Sequence, residues 1–113
     1  MYSTWEVGGN TYKLKLTTAA IVDLEAKLGR PLVTIYGFNE IEVPTVKTMA
    51  LVLQGGIGYE KQISMSNVYS LIDTYFEEGH KLADLTDVIR KLFVASGLIE
   101  DEAPAAETED EKN

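Results

Sequence analysis

Only one stretch of this chain alternates clearly at every second residue: STWEVGGNTYKLKL, residues 3–16. Tyr12, Leu14 and Leu16 alternate with Thr11, Lys13 and Lys15, so the second half has one dry face and one wet face. Trp5 and Val7 share a face of the first half. Between them, Gly8-Gly9-Asn10 is a turn of residues that tolerate positive φ. The pattern predicts a β-hairpin. A lone hairpin is marginal in water, so its dry face needs a surface to lie on. The rest of the chain reads mostly as helix and must supply that surface.

TTAAIVDLEAKLGRP follows at once. Thr17 or Thr18 can cap a helix whose apolar stripe is Ala20, Ile21, Leu24 and Leu28. Gly29 suits the left-handed position after the helix, and Pro31 prevents continuation. The hairpin's dry face is expected to pack on this stripe. PLVTIYGFNEIEVP reads as a short helical turn followed by an extended link. In VPTVKTMALVLQGG, Pro44 fits the first turn of a helix, Val46, Met49, Ala50 and Leu53 form its stripe, and Gly55-Gly56 are expected to end it. ISMSNVYSLIDTYFEEG is a further helix, capped by Ser64 or Ser66, lined by Val68, Leu71, Ile72 and Tyr75, and stopped at Gly79. In HKLADLTDVIRKLFVASG the stripe is Leu82, Leu85, Val88, Ile89, Leu92 and Phe93, with Gly97 beyond its end. The short connection at Gly79 favours antiparallel packing of these last two helices. The expected fold is α+β and mainly helical: an N-terminal β-hairpin packed on a bundle of about four helices, one domain over residues 1–99.

Residues 100–113 differ in kind. They hold seven acids, one lysine, one proline and no large apolar side chain. Such a composition cannot repay the entropy of ordering, so a disordered acidic tail or linker is expected. This end carries −6 of the net charge of −8, and residues 1–99 carry only −2. Without a basic stripe, nucleic acid is not an expected partner. There is no cysteine, which excludes disulfides and cysteine-based zinc sites. No apolar run is long enough for a membrane span, and MYSTWEVGGN does not resemble a secretory signal. The expected location is the cytoplasm.

Motifs for chemistry are weak throughout. His80, the only histidine, follows Gly79 with no evident nucleophile beside it, and reads as a solvent-facing loop residue. Gly55-Gly56-Ile57-Gly58 lacks the preceding strand and the Gly-Lys-Ser/Thr of a phosphate loop, and reads as a flexible loop ending a helix. The pairs Glu77 with Glu78 and Asp84 with Asp87 read as solvated helix faces. The two aspartates also fall early in the last helix, where negative charge is favoured. Tyr69 and Tyr75 fit the side or edge of a core stripe. No catalytic, cofactor-binding or metal-ligating residue is assigned, and no cofactor is expected. Residues 32–43 stand apart because no helix stripe claims Leu32, Val33, Ile35, Tyr36 and Phe38 together. Leu32, Ile35, Tyr36, Phe38, Ile41 and Val43 are the candidate partner-binding residues, with burial under a loop as the alternative.

The order of these features resembles the tail assembly chaperones of long-tailed, siphovirus-type bacteriophages. In that family a strand carries into Leu-x-Leu-Thr and a helix ends near Leu-Glu-x-x-Leu-Gly. Here these are Leu14, Leu16 and Thr17, then Leu24, Glu25, Leu28 and Gly29. A two-helix unit closing in Ala-Ser-Gly-Leu corresponds to Ala95–Leu98. The resemblance spans roughly residues 5–99 and rests on core and cap residues in order.

It implies a non-enzymatic protein that binds the tape-measure protein in the host cytoplasm, helps recruit tail-tube subunits, and is absent from the mature virion. A homo-oligomer is compatible with this. The family is commonly made in two forms, the longer by ribosomal frameshifting. The resemblance implies that the acidic end serves as a linker in the longer form and as a charged terminus in the shorter one; Glu111-Lys112-Asn113 can be encoded as GAA-AAA-AAC, which contains the slippery heptamer A-AAA-AAC. Other readings are an acidic viral inhibitor or DNA mimic, a structural head–tail or tail component and, last, an enzyme. Concentration of charge on the tail disfavours the mimic, and the lack of long strands disfavours a tail-tube sandwich.

Overall fold

A computed structural model of the chain describes residues 1–35 and 43–101. The hairpin is present. Strand β1 (Ser3–Val7) pairs antiparallel with β2 (Asn10–Leu14), with Trp5 opposite Tyr12 and Val7 opposite Asn10. Gly8 and Gly9 alone make the turn, at φ of 62° and 79°. Two successive left-handed residues define a type I′ turn, whose twist matches that of the strands. Asn10 therefore belongs to the ladder and not to the turn. Trp5, Val7, Leu14 and Leu16 are buried, while Glu6, Thr11 and Lys13 are exposed, so the alternation separates the two faces as read.

Four helices follow, and two of them begin at caps expected from the sequence. Helix α1 (Thr18–Leu28) is capped by Thr17, whose Oγ1 accepts the Ala20 N–H at 3.2 Å. It ends at Gly29, in the left-handed region. A single 3-10 turn, Leu32–Thr34, comes after Pro31. Helix α2 (Val46–Ile57) is capped by Thr45, which puts Pro44 just before the cap and not in the first turn. Ser64 caps α3 (Met65–Glu77) through the Asn67 N–H. Helix α4 (Leu82–Ala95) begins with the Lys81 N–H donating to Asp84 Oδ2 at 2.7 Å, so Asp84 satisfies a backbone donor that the first turn would otherwise leave open.

The packing departs from expectation in three ways. First, the hairpin does not lie on the α1 stripe. Strand β1 lies against α3 and α4, and β2 against α2, while α1 covers another side of α2 with Leu24 buried. Second, α3 and α4 have α2 and β1, and not each other, as their main neighbours. Trp5 lies edge-on to Tyr75 of α3, with ring centroids 5.5 Å apart.

Third, Gly55 and Gly56 do not end α2, which continues to Ile57. They are where other segments come close. A Cβ at Gly56 would stand 2.9 Å from Leu92 Cδ2, and one at Gly55 would stand 3.0 Å from Leu24 Cδ1. The Lys15 N–H also donates to the Gly56 carbonyl at 3.2 Å. Glycine costs helix stability, about 1 kcal/mol against alanine, and here it lets α1, α4 and the end of the hairpin crowd one turn of α2. The pair is therefore neither a phosphate loop nor a flexible one.

Candidate partner-binding surface

The described candidate residues do not form one surface. Leu32 is fully buried and Ile35 is 7% exposed; both belong to the core. Val43 is 56% exposed. Tyr36, Phe38 and Ile41 lie outside the described residues. The turn holding Leu32 and Ile35 is fastened to α1. The Leu32 N–H donates to Glu25 Oε2 at 2.9 Å, and the Arg30 guanidinium donates to Thr34 Oγ1 and to the Thr34 carbonyl. With its backbone tied this way, the turn directs its large apolar side chains inward, so Leu32 and Ile35 serve packing first. Beside it lies a cavity of about 410 Å³, walled by Leu28, Arg30, Ile35, Val43 and Thr48. Val43 is the one described candidate that a partner can reach there.

No protein-family model, curated protein or solved structure matches this chain.

Other apolar side chains are exposed although the sequence pattern did not name them as partner-binding. Tyr69 and Phe76 are 45% and 37% exposed, two turns apart on α3. Tyr69 was expected at the edge of a core stripe; it faces solvent. Their spacing of seven was the available signal, but the stripe through Val68, Ile72 and Tyr75 already accounted for the helix. Val22 and Tyr59 are also exposed, and so are Val46 and Leu82, which the stripes of α2 and α4 were expected to bury; each is the first residue of its helix, beyond the reach of the core.

The titratable groups cluster where α3 meets α4. His80 is not simply a solvated loop residue: its ring stacks on Tyr75 at 4.0 Å and 11°, with Nδ1 3.9 Å from Asp84 Oδ2. Burial, then the nearby carboxylates of Asp84, Asp87 and Glu78, push the Tyr75 phenol above its usual pKa. Glu78 is not simply solvated either. Its Oε2 accepts the Gly8 N–H at 2.9 Å and ties the hairpin tip to the end of α3. Asp87 accepts from Arg90 and Lys91. Every one of these carboxylates has a structural duty, and no hydroxyl nucleophile is held by His80 among the described residues. Among the described residues, no three His, Asp or Glu side chains converge as a metal site requires. No helix among them is long and apolar enough to cross a membrane.

Proposed function

We infer that this chain is a non-enzymatic tail assembly chaperone of a long-tailed bacteriophage, one that binds the tape-measure protein and helps recruit tail-tube subunits. The observation that carries the reading is the order of its core and cap residues, and the way the two ends of that order join. The Leu16 N–H, in the Leu-x-Leu-Thr segment, donates to Ser96 Oγ of Ala-Ser-Gly-Leu at 2.9 Å, across 80 residues. Two of the three motifs behind the resemblance thus belong to one joint, which gives their joint presence a physical reason. Exposed Val43, Tyr69 and Phe76 offer apolar footholds of the kind a holding protein uses on a long helical client.

Co-expression tests it. The tape-measure protein of the same virus should be more soluble in the presence of the chain, and the two should co-purify. Purified virions should lack the chain. Unchanged solubility together with no co-purification would defeat the reading.

A further inference from the structure

The sheet has two strands, so each has a free edge. Val7 and Asn10 close a two-residue turn and form a hydrogen-bonded pair, as do Trp5 with Tyr12 and Ser3 with Leu14 by alternation. The N–H and C=O groups of Thr4 and Glu6 therefore point away from β2. On β2 the corresponding edge is partly used, since the Lys15 N–H reaches the Gly56 carbonyl. On β1 it is not: among the described residues no hydrogen bond engages the outward groups of Thr4 or Glu6, and both residues are exposed. A groove of about 610 Å³ runs beside β1, with Thr4 and Glu6 on one side and Tyr75, His80 and Val88 on the other.

Natural sheets cover or blunt such an edge unless it is used. The groove's charge states what it accepts. Glu6 has no ion-pair partner among the described residues, Glu78 lines the groove, and Asp84 stands beside His80. A strand laid along β1 would place alternate side chains beside Glu6 and beside Tyr75 and Val88. We propose that the free edge of β1 is a strand-addition site for an extended partner segment in which basic and apolar side chains alternate. A second copy of this chain fits worse, because it brings its own Glu6 and Glu78 to the same groove. The site does not depend on the chaperone reading.

A capped hexapeptide alternating lysine and valine is the probe, added to the full chain and followed by amide NMR. The Thr4 and Glu6 amides should shift and become protected from exchange, and a glutamate–valine peptide should leave them unchanged. Glu6→Lys should weaken the lysine peptide about two- to fivefold, the range of one cross-strand charge pair. Glu6→Pro should abolish binding while the circular dichroism spectrum is kept, because that N–H is outside the ladder. Equal binding of both peptides, or none, overturns the proposal. So does protection of Thr4 and Glu6 without peptide in a concentration-dependent dimer, which would assign the edge to a second copy.

Discussion

A methyl group at Gly56 would meet Leu92 Cδ2 at 2.9 Å and Leu14 Cβ at 3.5 Å, and both leucines are fully buried. Alanine gains about 1 kcal/mol of helix propensity over glycine, while overpacking a dense core costs about 1–3 kcal/mol. Leu92 is fully buried and its Cδ2 must shift within a packed core, so Gly56→Ala should lower stability by about 1 kcal/mol in urea denaturation. A more stable variant would mean that α4 can move away from α2 at little cost. Ser96 is the other telling residue. Removing its hydroxyl leaves the part-buried Leu16 N–H without its acceptor. Ser96→Ala should cost about 1–3 kcal/mol, more than a surface serine would. Ile35 belongs to the same scale. At a site 7% exposed a carboxylate must lose most of its water, and Arg30, the cation lining the same cavity, is already engaged by Thr34, so Ile35→Asp should abolish cooperative unfolding by circular dichroism. If it folds normally, the turn opens easily and the segment is available to partners after all.

The elements owe their limits to short-range chemistry, and α4 shows the balance best. Asp84 takes the Lys81 N–H at the helix start, so Asp84→Ala should cost about 1 kcal/mol, read as a lower thermal midpoint. One turn on, burial works to raise the Asp87 pKa, but the hydrogen bonds and charges of Lys91 and Arg90 outweigh it and hold the carboxyl below its usual value. A depressed carboxyl pKa stabilises the fold above the unfolded-state value, near 4, and that contribution fades as pH falls through the folded-state value. Asp87→Asn should therefore be less stable than the parent at neutral pH, with the gap closing below about pH 4. A gap that persists into acid would assign the loss to packing. The hairpin depends on its turn in the same local way: both glycines sit at positive φ, which branched residues avoid.

For the whole molecule, the acidic end is the simplest test. Within the described residues its first aspartate, Asp101, is exposed and stands 3.5 Å from the half-buried Arg90, a surface pair of the sort that contributes about 0–1 kcal/mol. Deleting residues 102–113 should leave the thermal midpoint nearly unchanged, and a fall of many degrees would show that they dock on the domain. What the sequence determined alone was local. The hairpin with its glycine turn, caps narrowed to Thr17 or Thr18 and to Ser64 or Ser66, the stops at Gly29 and Gly79 and most of the stripes of α3 and α4 each depend on residues within about a turn of one another; that Asn10 joins the ladder and Leu82 stays exposed does not. What only the tertiary structure decided was which dry surfaces meet. The hairpin chose α2, α3 and α4 over the adjacent α1, and Leu32 and Ile35 went inward although no helix stripe claims them. Gly55 and Gly56 look like a helix stop in sequence because glycine weakens a helix; they stay helical because Leu24 and Leu92, each more than 30 residues away, need the space that a Cβ would fill. Burial is nondirectional, and periodicity names a face without naming its partner.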